Sequence, residues 1–119
     1  MILRQWRGRT AWTRADEYTS YLLETGVRDC EKTPGCRGVY VLRRRDGDEA
    51  EFVFHSLWDS FDAIRRFAGP DVEKAVYYPE DRAFLRELEP RVTHYEILHE
   101  PVANASRGGE AASPIRITF

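Results

Sequence analysis

Two side chains in this sequence have the chemistry to accept a proton near neutral pH. His94 lies in a strand-like segment on the same face as Glu96, and a neutral histidine there is basic enough to accept a proton near pH 7. Tyr77 comes just before Pro79, at a predicted helix end where a phenol can face a cavity. We therefore take His94 and Tyr77 as candidate catalytic residues, although a structural hydrogen bond is the simpler role for His94.

Aromatic side chains and one arginine are suited to forming the walls of a substrate pocket. Trp58 lies where a strand runs directly into a helix, a junction that favours a pocket. Arg4, in the first predicted strand, has the charge to neutralise an anionic ligand. Core packing for the aromatic residues and a surface position for Arg4 are the competing interpretations. The candidate substrate-binding residues are Trp58, Phe54, Trp6, Tyr78 and Arg4.

The three histidines do not have the spacing of metal ligands. His94 and His99 fall on opposite faces of one predicted strand, and His55 is remote from both in sequence. His55 alternates with apolar residues, which fits a core or interface position. The sequence also has no phosphate-binding glycine loop and no Ser-His-Asp arrangement. We predict no metal site and no cofactor.

The segment 51–79 positions most of these candidates. Alternation over 52–58 predicts a strand that is apolar on both faces and covered on both sides. Ser60 then predicts a helix N-cap, and Gly69 predicts the end of that helix. A second short helix is expected over 72–78.

The remaining segments predict three more strands and two more helices. The strands are expected over 2–9, 36–45 and 92–100, with an Asp46-Gly47 hairpin after the second. Thr13 and Asp16 resemble a capping box, so a helix is expected to begin near Arg14 and to be weak at Gly26. Pro79 and the acidic residues after it predict the start of another helix.

The predicted order is β-α-β-β-α-β, which is the ferredoxin-like plan of the α+β class. Such a chain forms a four-stranded antiparallel sheet with helices on one face only. The uncovered face would carry Val, Leu, Tyr and Ile side chains, and an exposed apolar surface of that size favours association. We therefore predict a homodimer in which two sheets pack together.

Length and composition indicate one ordinary domain. The chain has 119 residues, of which 42% are hydrophobic, and a net charge of −2. These values give no basic field for nucleic acid and no apolar run for a membrane, and they favour a cytoplasmic protein. We expect the domain to span 1–101 and a flexible tail to span 102–119, with an added edge strand near its end as the alternative. Cys30 and Cys36 flank a turn and are expected to be reduced, although their pairing stays open.

The chain resembles the antibiotic biosynthesis monooxygenase (ABM) superfamily of dimeric α+β barrels, and most closely a large bacterial branch of it. The resemblance covers about residues 1–100. The segments that carry it are WRGRT at 6–10, the Pro34-Gly35 turn, SLWDSFDAIRRFAG at 56–69, DVEKAVYYPED at 71–81 and VTHYEIL at 92–98.

The resemblance implies an activity but matches the family's site only in part. Some members oxidise aromatic polyketides or quinol-like compounds with O2 and no metal, flavin or haem, and others degrade haem. Trp58 matches the family tryptophan, whereas Phe54 replaces an asparagine of the quinone-forming oxygenases. Phe67 and Tyr77 replace a tryptophan and a histidine of the haem-degrading branch. Haem degradation with that triad is therefore not expected, although a tyrosine can ligate haem iron.

We therefore expect a small enzyme of natural product biosynthesis that oxygenates an aromatic or polyketide-like metabolite without a cofactor. A non-redox cyclase or isomerase acting on a similar metabolite is the first alternative. A non-catalytic dimer that binds a small molecule is the second. The fold does not separate these hypotheses.

Overall fold

The computed structural model describes residues 1–101 of the chain, and the predicted tail with its edge strand lies outside them. Its strands are β1 (Ile2–Ala11), β2 (Cys36–Asp46), β3 (Glu49–Trp58) and β4 (Thr93–Glu96). Its α-helices are α1 (Ala15–Leu22), α2 (Arg28–Lys32), α3 (Phe61–Ala68) and α4 (Asp81–Phe84). A 3₁₀ turn precedes α1, and a π-helical turn, Leu23–Val27, joins α1 to α2.

The four strands form one antiparallel sheet in the order β2-β3-β1-β4. This order confirms the predicted ferredoxin-like α+β plan. In the register, Trp6 lies opposite Phe54, and Phe54 lies opposite Val41. Arg4 lies opposite His94 at the β1–β4 edge.

Strand alternation separates a helix side of the sheet from an open side. On β1 and β3 the even-numbered side chains from position 4 onward are buried against the helices. Tyr18 and Leu22 of α1 and Ile64 of α3 pack onto this side and complete the core. The helix side is therefore the only one that the described residues cover.

The open side of the sheet carries a band of apolar side chains. Leu3, Val53 and Leu57 lie in its middle strands and are partly exposed. Large apolar residues on its outer strands are more exposed, at 60% for Tyr40, 45% for Leu42 and 51% for Tyr95. β3 was predicted to be covered on both faces. Within the described part of this chain, only its helix-side face is covered.

The turn signals of the sequence are observed at the predicted positions. The Ser60 hydroxyl accepts a hydrogen bond from the Ala63 N–H at 3.1 Å and caps α3, which ends at Gly69. Gly35 has a φ of 95°, and a Cβ there would lie 2.4 Å from the Cβ of Ala63. The Pro34-Gly35 turn can therefore pack directly on α3 only with glycine at this position.

Three of the predicted elements differ in the structure. The expected helix over 72–78 does not form, because Ala75 N–H donates to Pro90 O and Val92 N–H donates to Glu73 O, which holds this segment extended. β4 is shorter than expected, and no side-chain cap is observed at the start of α1. The weakness predicted at Gly26 appears as the π-helical turn.

Cys30 and Cys36 are both free thiols in this structure, and Cys30 is buried. Desolvation raises the pKa of Cys30 to about 12, so its thiol stays protonated at neutral pH. Within residues 1–101, no helix has the length and apolar character needed to cross a membrane.

Candidate functional site

A small cavity lies between the helix side of the sheet, the π-helical turn and the segment 76–81. Its volume is about 40 Å³, enough for a few water molecules. Six aromatic side chains supply most of its wall: Trp6, Tyr18, Phe54, Phe67, Tyr77 and Tyr78. Arg4 and Asp81 add one charge of each sign to this wall.

The floor of the cavity comes from β1 and β3. Arg4, Trp6 and Phe54 point to the same side because their positions share the two-residue period of the strands. Trp6 and Phe54 are directly opposite each other in the register. The alternation predicted within each strand is therefore observed for these three residues.

The π-helical turn forms one side of the cavity through Thr25 and Gly26. Gly26 is buried, and a Cβ at this position would lie 3.3 Å from the Phe54 ring. The absence of a side chain therefore lets the turn approach the floor closely. π-helical turns are rare and often occur at functional sites.

Tyr77 closes the cavity opposite Trp6. Its hydroxyl accepts a hydrogen bond from Trp6 Nε1 at 3.1 Å and donates one to the Glu89 carbonyl. Burial is the main cause that raises the pKa of Tyr77. The phenol is therefore protonated at neutral pH, which makes it a hydrogen-bond donor rather than the proton acceptor proposed from the sequence.

Tyr78 forms the neighbouring part of the wall and connects it to α2. Its hydroxyl donates a hydrogen bond to Asp29. Burial, followed by the effects of Asp29, raises the pKa of Tyr78. The side chain thus fastens the segment 76–81 to the helix layer.

Asp81 is a cavity residue whose sequence context indicated only the start of a helix. Its side chain is 4% exposed, with Oδ1 accepting from Tyr18 Oη at 3.0 Å and Oδ2 accepting from Tyr78 N–H at 2.7 Å. Burial raises the pKa of Asp81, and these two hydrogen bonds act in the opposite direction. A run of acidic residues after a proline gives no signal that one of them turns inward.

Arg4, a candidate substrate-binding residue, is buried at 5% exposure, which excludes the competing surface position. Its Nη2 donates to the Lys74 carbonyl at 2.8 Å, and its guanidinium carbon lies 5.6 Å from the centroid of the Phe67 ring. Among residues 1–101 its Nε has no hydrogen-bond partner. The cavity therefore presents a buried cation whose charge is not neutralised by a carboxylate in the described part of the chain.

Trp58 does not line the cavity. It is fully buried, its Nε1 donates to Ser56 Oγ at 2.7 Å, and its ring stacks on Phe67 at a centroid distance of 5.9 Å. Phe67 does line the cavity. Trp58 therefore supports the wall from behind, which corresponds to the core-packing interpretation of this residue.

His94 also lies outside the cavity, as do the other two histidines. Its ring meets Phe61 edge to face at 5.3 Å, on an outer groove next to α3. Burial and the nearby charge of Arg4 lower the pKa of His94, so it is neutral at pH 7. The protonation state matches the proposed base, whereas the position favours a structural role.

An outer groove adjoins the cavity through a shared partition. Phe67, Val76 and Tyr78 line both spaces. On its outer side the groove carries Lys32 and Arg66. Because the cavity holds only a few water molecules, a larger ligand would need part of its wall to move, and Tyr78 with its hydrogen bond to Asp29 lies on the groove side of that wall.

A family model described as antibiotic biosynthesis monooxygenase (ABM) matches residues 13–76, which is more than half of the chain. The chain belongs to the ABM family. No curated protein gives a significant sequence match. The cavity floor residues on β1 lie outside the matched range, whereas Gly26, Phe54 and Phe67 lie inside it.

Solved structures share the ABM fold with this chain. Rv0793 from Mycobacterium tuberculosis aligns with a TM-score of 0.54 and 20% identity over 86% of this chain and 100% of that one. The heme-degrader MhuD (Rv3592) from the same organism, with two hemes in its active site, aligns with a TM-score of 0.53 and 18% identity. This alignment covers 86% of this chain and 100% of MhuD. A MhuD mutant with two manganese protoporphyrin IX molecules per active site aligns with a TM-score of 0.54 and 16% identity. This alignment covers 87% of this chain and 100% of the mutant. At these identities the comparisons establish the fold alone.

The cavity of this ABM protein does not fit haem as it stands. At about 40 Å³ it is far smaller than the roughly 300–1,000 Å³ of pockets for drug-sized ligands, so haem and smaller aromatic ligands alike would need its wall to move. No histidine lines it, and the Tyr77 and Tyr78 hydroxyls are both engaged in hydrogen bonds. Within residues 1–101 there is also no cluster of three or more potential metal ligands.

Proposed function

We propose that this ABM protein is an enzyme that oxygenates a small aromatic phenol- or quinol-like metabolite with O2 and without a cofactor. One observation carries the proposal, namely the unneutralised Arg4 guanidinium in a cavity walled by aromatic rings. A buried charge that lacks its partner costs about 3–5 kcal/mol. An anionic substrate would recover part of that cost.

The proposed reaction uses electrons from the substrate itself. Loss of a proton gives a phenolate or enolate that can donate electrons to O2. For an activated methylene group, the substrate and one molecule of O2 give the corresponding ketone and one molecule of water. The protein contributes by binding the anion beside Arg4 and by excluding water from it with the aromatic wall.

The proposed active form is a homodimer joined through the open side of the sheet. The exposed Tyr40, Leu42 and Tyr95 support this interface because large apolar residues gathered on one face favour association. The cavity lies on the helix side, so each subunit would keep its own site. The dimer would also cover the second face of β3.

Oxygen uptake with a panel of anthrones and hydroquinones tests the proposed activity. We expect uptake above the spontaneous rate for wild-type protein treated with a metal chelator, and at least a tenfold loss for Arg4→Met. Arg28→Met, a change of an exposed arginine, is the matched control. If the wild-type protein gave no oxygen uptake above the spontaneous rate with any compound of the panel, the proposed oxygenase activity would be rejected.

Two further outcomes identify the alternative functions. A product of unchanged mass formed under anaerobic conditions would support a cyclase or isomerase, because proton transfer alone needs no O2. Tight binding of the same compounds without turnover would support a binding protein. A Soret band that follows haemin titration one to one would overturn the view that the cavity does not take haem.

A further inference from the structure

Arg4 and Asp81 bring two opposite buried charges to one cavity without forming an ion pair with each other. Within residues 1–101, neither charge has an oppositely charged side chain within salt-bridge distance. Direct pairing would be the cheaper arrangement for two buried ions. Both side chains line the same cavity, so a ligand bound there would meet both charges.

The contacts of Asp81 hold its carboxylate in a fixed orientation while leaving it capacity to accept a proton. An ionised carboxylate has about four lone-pair positions, and Tyr18 Oη and Tyr78 N–H use one on each oxygen. The donors come from α1 and from the segment before α4. Both oxygens therefore keep an acceptor position.

Several other ionisable groups influence Asp81 or are influenced by it. Those that share the cavity or interact electrostatically with Asp81 are Arg4 on β1, Tyr18 and Tyr21 on α1, and Tyr77 and Tyr78 on the preceding segment. The four tyrosines have raised pKa values and stay neutral at pH 7. Asp81 is therefore the one strong acceptor among the cavity residues that the structure describes.

We propose that Asp81 is the catalytic proton acceptor and that Arg4 binds the oxygen on which the negative charge develops. The substrate is the activated methylene compound of the proposed function, with its acidic C–H conjugated to a ring carbonyl. This assignment rests on the proposed function, because the anion it produces is the species that O2 would oxidise.

The step balances without an oxidant. An Asp81 carboxylate oxygen takes the proton from the C–H group and becomes a carboxylic acid. The electron pair of that C–H bond enters the conjugated ring system, and the carbonyl oxygen becomes a phenolate beside Arg4. Reprotonation from Asp81 reverses the step, so the reaction can be followed as isotope exchange.

Anaerobic exchange of the acidic anthrone hydrogen into heavy water, followed by NMR, measures this step alone. We expect wild-type protein to raise the exchange rate above the rate without protein. The protein-dependent part of that rate should be at least tenfold lower for Asp81→Asn. Asp62→Asn changes an exposed acid of α3 in the same way and should behave as wild type. No acceleration by the wild type, or wild-type exchange by Asp81→Asn, overturns the assignment.

Tyr18→Phe separates the chemical role from a structural one. Removing its hydroxyl donor raises the pKa of Asp81 further, since this hydrogen bond favours the carboxylate. The rising limb of the exchange rate against pH should therefore move to higher pH. An unmoved limb overturns the assignment, and this measurement decides if Asp81→Asn does not fold.

The exchange and oxygen assays distinguish the two proposals. Exchange that depends on Asp81, without oxygen uptake in air, would keep Asp81 as the acceptor and reject the oxygenase. Oxygen uptake that Asp81→Asn leaves intact would keep the oxygenase and reject Asp81 as the acceptor.

Discussion

At the scale of single residues, the cavity depends on how Arg4 is held. Its contacts with the Lys74 carbonyl and the Phe67 ring fix the guanidinium in position without neutralising it. Desolvation lowers the pKa of Arg4, but an arginine still remains charged at neutral pH. The cation is therefore ready for an anion before any ligand arrives.

Arg4→Met should weaken binding of an aromatic carboxylate at least tenfold and leave binding of its neutral methyl ester within about twofold. The thermal stability should stay similar, because removing an unneutralised buried charge offsets the lost hydrogen bond. Isothermal titration calorimetry with both ligands and thermal unfolding check this, with Arg28→Met as the control. Equal losses for acid and ester would show that Arg4 acts by shape alone.

Residue types at the site were easier to predict than residue roles. Strand alternation assigned Arg4, Trp6 and Phe54 to the side that forms the floor, because this period is local. The inward turn of Asp81 depends on Tyr18, which is 63 positions away and supplies its hydrogen bond. His94 has the right chemistry, but its position near β1 and α3 follows from strand pairing, which no local pattern specifies.

At the scale of elements, the segment between α3 and α4 supplies one wall of the cavity through Val76, Tyr77 and Tyr78. It has no regular helix, and backbone hydrogen bonds tie it to residues 90–92. The pattern of Val72, Val76 and two tyrosines fitted a helix. Instead, the backbone groups of this segment form hydrogen bonds with residues 90–92, just before β4. Long-range contacts of this kind override local periodicity.

Tyr78→Phe should open the cavity more often, because it removes the hydrogen bond that joins this segment to Asp29 on α2. We expect faster amide hydrogen exchange over 75–80, a faster ligand association rate, and a loss of about 1 kcal/mol in the free energy of unfolding. Tyr95→Phe, on the open side of the sheet, is the matched control. Unchanged exchange over 75–80 would mean that Tyr78 does not govern opening.

At the scale of the whole molecule, the open side of the sheet is the basis of the proposed dimer. The ferredoxin-like plan was predictable because its element order and hairpin are encoded locally. It leaves one sheet face uncovered, and the exposed apolar residues there are the reason for proposing a second copy of the chain as its partner.

Leu42→Glu should convert the proposed dimer to a monomer, because a charge would replace an apolar side chain within the interface. Leu42 is 45% exposed, and Leu23, on the helix side, is 52% exposed, so Leu23→Glu is a closely matched control. Light scattering after size-exclusion chromatography measures the mass. Dissociation by both variants, or by neither, would argue against an interface on the open side.

The proposed dimer should weaken as the pH falls. His55 lies on the open side, hydrogen-bonded to Gln5 at 2.9 Å and opposite Tyr40 in the register. Burial, with a smaller effect of Arg7, lowers the pKa of His55 below its ordinary 6.5. Covering the ring in the dimer would desolvate it further, so the dimer favours neutral His55. This preference is satisfied above about pH 6.5 and weakens association as the pH falls through the lowered pKa.

Sedimentation measurements from about pH 8 to about pH 5 test this dependence across the titration range of histidine. His55→Gln should make the dimer fraction less sensitive to pH, whereas His99→Gln, which changes an exposed histidine, should not. A wild-type dimer fraction that stays constant over the range would contradict the prediction.

The three tryptophans occupy three different environments, and this makes the protein its own optical sensor. Trp12 lies beneath Arg43 and Arg45, Trp58 lies behind Phe67, and Trp6 alone borders the cavity. A chain that retains only the indole at position 6 would report occupancy through its fluorescence. Compound libraries could thus be screened for ligands before any reaction is known.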